Sequence, residues 1–228
     1  MITQIYSLNA PEEALATVRA GTDYIGVNPT SKNTGKTFDE ALACSKAVFD
    51  AIDGKAVKVA ITIDNTPEER TRIIETLHPD ILHISGVHDD ATQELVEELN
   101  EKYPDMQIMQ AIPMTGPEAI EKAVAFSKFV DYLILDSVLP GVIGTGAAGI
   151  THDWNWSKAI VEQSECKVIL AGGLGPDNVS EAIRVVKPFG VDSLTRTNKK
   201  ANNRSEKDID KVRAFCQNAK KTAQELGL

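Results

Sequence analysis

Short runs rich in β-branched residues alternate with amphipathic stretches along the chain. The runs fall at Ile2 to Tyr6, Asp23 to Val27, Val57 to Ile63, Asp80 to Ile84, Met106 to Ile112, Val130 to Leu135, Lys167 to Ala171 and Gly190 to Leu194. Such runs predict the strands of a parallel sheet whose faces are both covered by crossover helices. The intervening stretches read as those helices. The clearest follows the seventh run, where Val179, Ala182, Ile183 and Val186 fall on one face. Gly175-Pro176-Asp177 predicts its start, with proline in the first turn. Thr66-Pro67-Glu68-Glu69 offers a hydroxyl cap, a proline at the first helical position and a glutamate three residues after the cap. The last helix turns Ile209, Val212, Phe215 and Ala219 inward.

Eight β/α units, with no linker or low-complexity stretch between them, predict one α/β domain over residues 1–228, a (β/α)8 TIM barrel. A doubly wound open sheet is the rival, and it usually announces itself by a G-x-G-x-x-G turn after an early strand. No such turn occurs in the sequence. Composition narrows the class further: 42% hydrophobic and 25% charged residues exclude disordered, collagen-like and coiled-coil chains. A net charge of −9, with both signs dispersed, predicts neither a nucleic-acid nor a membrane partner and leaves a small molecule as the expected ligand. Cys44, Cys166 and Cys216 are widely spaced with no CxxC, so reduced thiols used in packing are expected. Neither a basic leader nor 18 consecutive apolar residues appears, which predicts a cytoplasmic protein, taken as a monomer or homodimer.

Catalysts of (β/α)8 barrels sit at the C-terminal ends of the strands. Counting alternate residues back from those ends points Gln4, Tyr6, Asn28, Thr62, Asp64, His83, Ser85, Gln110 and Asp136 into the barrel mouth. His83, with a reference pKa of about 6.5, is a candidate base, and His152 is a second. Asp64, His83 and Asp136 also make a nitrogen and oxygen donor set that a metal would accept. After the last strand, Thr195 and Arg196 open a basic turn that the barrel places beside Gly172 and Gly173, and an arginine fork there suits a phosphate or carboxylate. The loop from Asn28 to Lys36 is polar and carries Lys32, which predicts a hydrophilic substrate moiety. Asp153 is expected to cap a helix containing Trp154 and Trp156.

From Val168 the chain reads VILAGGLGPDNVSEAIRVVKPFGVD, a string carried by few families, and it closely resembles the seventh and eighth β/α units of phosphoribosylanthranilate isomerases. LILDS at 133–137, GTG at 144–146, HDW at 152–154 and EALATVRAGTDYIGV at 13–27 are similar to the same family. The resemblance implies the barrel independently. It also implies an Amadori rearrangement in tryptophan synthesis, from an aminoaldose phosphate to an aminoketose phosphate, with no cofactor. That reaction needs an acid at the ring oxygen, a base at the C2 proton and an anchor for the phosphate.

Carried over by residue, the resemblance makes Asp136 the acid and Gly172 with Gly173 the first half of the phosphate site. The chain departs from the family elsewhere. Tyr6 stands where the family has a first-strand cysteine, which leaves Tyr6 or His83 as the base. The family's serine-serine-glycine is Ser193-Leu194-Thr195-Arg196 here, and its second-strand arginine is absent, with Lys32 or Lys36 to supply the charge. Its fourth-strand Q-L-H-G is His83-Ile84-Ser85-Gly86, so the histidine lies two residues deeper. Two alternatives stand beside the isomerase: a metal-assisted sugar-phosphate epimerase or aldolase, and a non-catalytic relative that binds a sugar phosphate.

Overall fold

The computed structural model describes residues 1–32, 34–86, 91–138, 150–200 and 206–228. GTG at 144–146 and Asn33 of the second-strand loop lie outside the described residues. Eight parallel strands close a barrel in chain order: β1 (Ile2–Ile5), β2 (Tyr24–Val27), β3 (Val57–Ile63), β4 (Ile81–Ser85), β5 (Gln107–Pro113), β6 (Tyr132–Asp136), β7 (Lys167–Leu170) and β8 (Gly190–Ser193). Pairing of Ile2 with Gly190 through Ile5 with Ser193 makes the closure. The helices α1 (Pro11–Arg19), α2 (Phe38–Ile52), α3 (Pro67–Leu77), α4 (Gln93–Lys102), α5 (Ala119–Phe126), α6 (Trp154–Gln163), α7 (Val179–Val186) and α8 (Ile209–Leu226) fill the gaps between strands. The expected strands form, β3 with both ends as expected and the others with ends displaced by at most two residues, because pairing rather than apolarity sets where a strand begins and ends.

Local chemistry starts the helices where the residues predicted. Thr66 and Glu69 form a reciprocal capping box at α3, and Thr37 with Glu40 forms another at α2. Asp153 caps α6 through the Asn155 amide. In α7, Val179, Ala182, Ile183 and Val186 are all buried, and each of the larger side chains contributes about 1.5–3 kcal/mol by leaving water. Its expected start needs correction. Pro176 belongs to the preceding turn, in which the Gly175 carbonyl accepts from the Asn178 and Val179 amides.

Alternation along the strands builds two apolar layers. Ile5, Val27, Leu82, Ile84, Leu133, Leu135 and Val191 face the helices. Val59, Ile61, Ile81, Met109, Ile134 and Ile169 fill the barrel interior beneath Tyr6. Thr62 and Gln110 are the corrections to the inward set. Their neighbours Ile61, Ile63, Met109 and Ala111 point inward, so by strand alternation these two face the helices. The Gln110 carbonyl oxygen accepts from the Ala91 amide at 2.7 Å, and Thr62 donates to the His83 carbonyl at 3.4 Å. Cys216 is buried in the outer layer, and Cys44 donates to the Asn9 carbonyl. Among the described residues, no helix is long and apolar enough to cross a membrane.

Candidate active site

The ends of β6, β7 and β8 form a small, partly open pocket whose lining includes Asp136, Gly172, Gly173, Asp192, Thr195 and Arg196. Asp136 is the last residue of β6, and one of its carboxylate oxygens accepts from the Ser137 amide at 2.7 Å. Burial, and then the nearby charge of Asp192, push the Asp136 carboxyl up to about 8 against that hydrogen bond. Asp192 faces the same pocket from β8. Burial raises it to about 7, offset in part by a hydrogen bond from Gln4 Nε2 at 3.1 Å and by the charge of Lys207.

The wall opposite these carboxyl groups is backbone. Gly172 and Gly173 have φ of +82° and +60°, a left-handed pair that only glycine adopts without strain. A Cβ on Gly172 would overlap Ser137 Oγ, so the turn after β7 lies pressed against the end of β6. Ser193 Oγ donates to the Leu174 carbonyl at 2.7 Å and joins the turns after β7 and β8. Arg196 spans the same seam, donating from Nη1 to the Gly173 carbonyl at 3.0 Å and from Nη2 to Asp177 at 2.6 Å. Its terminal nitrogens are thus committed to holding the two turns together. The geometry gives Arg196 the part of a fixed positive charge in the wall, where the sequence suggested a free fork.

Tyr6 and His83 are brought together, but away from this role. Tyr6 Oη lies 2.6 Å from His83 Nδ1, and both side chains are buried in the barrel interior. Burial, then the charges of Asp192 and Asp136, hold the Tyr6 phenol well above its ordinary value. Burial likewise lowers His83 to about 3. Neither side chain is among the pocket lining. A phenol that resists ionisation and an imidazole this weakly basic are poor proton acceptors near neutral pH, so the geometry gives the pair a packing role.

The model of the N-(5'-phosphoribosyl)anthranilate isomerase family matches residues 4–218. The chain belongs to that family. N-(5'-phosphoribosyl)anthranilate isomerase 2 of Methanosarcina mazei is 30% identical over 85% of this chain and 84% of its own. The isomerase of Haloarcula marismortui is 30% identical over 97% of each chain. Among solved structures, phosphoribosyl anthranilate isomerase from Thermotoga maritima aligns with a TM-score of 0.80 at 23% identity, covering 97% of this chain and all of that one.

Within this phosphoribosylanthranilate isomerase fold, the remaining candidates stand on the far side of the mouth. Asn28 is spent on its own loop, accepting from the Thr30 amide and hydroxyl and donating to the Lys32 carbonyl. Lys36 is tied to Asn9 and Cys44, which leaves Lys32 as the half-buried cation of that loop. Asp64 follows β3 with φ of 45° and packs against Gly86, while Ser85 is fully buried at the end of β4. None of these five lines the Asp136 pocket. The metal set does not assemble: among the described residues, no three His, Cys, Asp or Glu side chains group closely enough to hold an ion. Both nitrogens of His152 are engaged, Nδ1 with Ser137 Oγ at 3.0 Å and Nε2 with Ser157 Oγ at 2.7 Å, so it links α6 to the end of β6.

Asp192 is the pocket residue that sequence reasoning missed. The signal was present, since alternation from Leu194 points Asp192 inward just as it points Asp136. Lys207 had no such signal. Its burial to 2% exposure follows from a chain reversal that brings it against Asn198 and the Leu194 carbonyl.

Proposed function

We propose that this chain is a phosphoribosylanthranilate isomerase, rearranging N-(5'-phosphoribosyl)anthranilate to the aminoketose phosphate by general acid and base catalysis. The observation that carries the reading is Asp136, a buried carboxyl group at the end of β6 whose burial favours the protonated form, set in the same pocket as the glycine turn after β7. Asp136 donates its proton to the ring oxygen as the C1–O bond breaks. Gly172, Gly173 and Thr195 receive the phosphate through backbone amides, and Arg196 supplies the fixed charge behind them. Lys32 faces the anthranilate carboxylate from the second loop, whose shape Asn28 holds, and Asp64 stands on the same side of the mouth. The ligand is a phosphorylated small molecule, and the enzyme acts as a monomer or homodimer in the cytoplasm. A binding protein for sugar phosphate has no need of a proton-donating carboxyl group and a second carboxylate in its pocket, so the catalytic reading is preferred.

The test is direct. Purified protein mixed with N-(5'-phosphoribosyl)anthranilate should extinguish the fluorescence of the anthranilate group with saturable kinetics, and a flat trace at high enzyme concentration refutes the reading. Arg196→Ala should raise KM about tenfold with kcat within a factor of about two, because a wall charge on the phosphate is felt equally in ground and transition states.

A further inference from the structure

We propose that Asp192 is the general base of this enzyme, taking the C2 proton that the family assigns to the cysteine Tyr6 has replaced. The inference rests on the isomerase reading above and deepens it.

Asp192 sits on β8, two strands from Asp136 around the barrel, and both carboxyl groups line one pocket with Gly172, Gly173 and Arg196. A phosphate held by those turns fixes one end of the sugar, so its reacting carbons come to lie between the carboxyl groups. Asp192 is 5% exposed, and Gln4, itself fully buried, donates from Nε2 to one of its oxygens while the Gln4 carbonyl oxygen is without a partner. That contact orients the carboxylate and leaves its second oxygen for the substrate. No cysteine is available: Cys44 is bound to Asn9 and Lys36, Cys166 precedes β7 and Cys216 is buried among the helices.

Charge separates the two roles. The groups that face Asp192 are Asp136 from β6, Gln4 from β1, Tyr6 just after β1, and Lys207 from the segment before α8. Gln4 and Lys207 favour the ionised form of Asp192, whereas Asp136 feels the resulting charge and holds its proton. Lys207 donates to the Leu194 carbonyl at 3.0 Å and to Asn198 Oδ1 at 2.7 Å, which fixes its ammonium behind the β8 turn as a positioning residue. When one of the two carboxyl groups is ionised, Gln4 and Lys207 therefore place the charge on 192 and leave the proton on 136, the combination that proton shuttling needs.

The proton count closes. Asp136 protonates the ring oxygen as the C1–O bond breaks, and the nitrogen lone pair becomes the second bond of a C1=N iminium. Asp192 takes the C2 proton, the C–H electron pair forms C1=C2, and the C=N pair returns to nitrogen. The enol hydroxyl proton then passes to Asp136 as the C2 carbonyl forms, while Asp192 returns its proton to C1. Both carboxyl groups end as they began.

Asp192→Asn keeps the volume and an acceptor for Gln4, and it should lower kcat by about 10²- to 10⁴-fold with an unchanged melting temperature. With substrate deuterated at C2, this variant should show a full primary isotope effect, because C2–H cleavage has become limiting. Asp136→Asn should show nearly none, because ring opening then limits. In the parent enzyme the acidic limb of kcat/KM should lie near the Asp192 value of about 7, and Lys207→Met should move that limb to higher pH. Asp192→Glu serves if the asparagine variant folds poorly, and it should restore part of the rate and the limb. Wild-type turnover with Asp192→Asn retaining kcat within tenfold overturns this inference alone, whereas absence of turnover in the wild type overturns the isomerase reading beneath it.

Discussion

Asp136→Asn is expected to lower kcat for N-(5'-phosphoribosyl)anthranilate by roughly 10²- to 10⁴-fold, the usual contribution of a positioned acid. KM should stay within a few-fold, because the phosphate cradle lies on β7 and β8 rather than on β6. The amide keeps the shape of the side chain and can still accept from the Ser137 amide, so its folding should be intact. The pH dependence gives a second reading of the same residue. Asp136 acts as an acid only while protonated, and burial beside Asp192 holds it at about 8. Activity should therefore fall as pH rises through about 8, and the basic limb should vanish in the asparagine variant. A variant that keeps both the rate and the limb would show that the ring oxygen is protonated by another group.

Replacing Tyr6 should act on stability far more than on chemistry. Tyr6 is 5% exposed at the top of the inner barrel layer, and its ring fills the space that a side chain at position 26 would otherwise take. Tyr6→Ala should cost about 3–5 kcal/mol in chemical denaturation, as expected for removing a buried aromatic ring and leaving a cavity. Tyr6→Phe keeps the ring and removes only the hydroxyl beside His83 Nδ1, so a loss of about 1–3 kcal/mol is expected from one unpaired buried nitrogen. Turnover by Tyr6→Phe should remain within a few-fold of wild type. A hundredfold loss of kcat with little loss of stability would return Tyr6 to the reaction itself.

The position of Asp136 was legible from the resemblance of LILDS to the family's sixth strand, and from its place at a strand end, where barrels carry their catalysts. Gly172 and Gly173 were legible for a related reason, since consecutive glycines after a strand mark a backbone turn that an anion can approach closely. Tyr6 and His83, the sequence candidates for the base, fall outside the pocket that Asp136 lines. Both lie on inward positions, as counted, but the inner barrel closes over them, and burial removes the charge states that proton transfer requires. Arg196 was read by residue type alone. Its partners, Asp177 and the Gly173 carbonyl, come from the neighbouring β/α unit and have no local signature.

What the sequence by itself determined is the order of strands and helices, their caps, and which unit carries each polar residue. These are local properties, set by alternation, by caps such as Thr66 with Glu69, and by the period of helices such as α7. Proton affinities were decided only by the closed barrel. Asp136 and Asp192 lie more than 50 residues apart in the chain, and only closure through β7 and β8 buries them in one pocket, where the charge of one holds the proton on the other. Gln4, and then Lys207 brought back against the β8 turn, favour ionisation at Asp192 over Asp136.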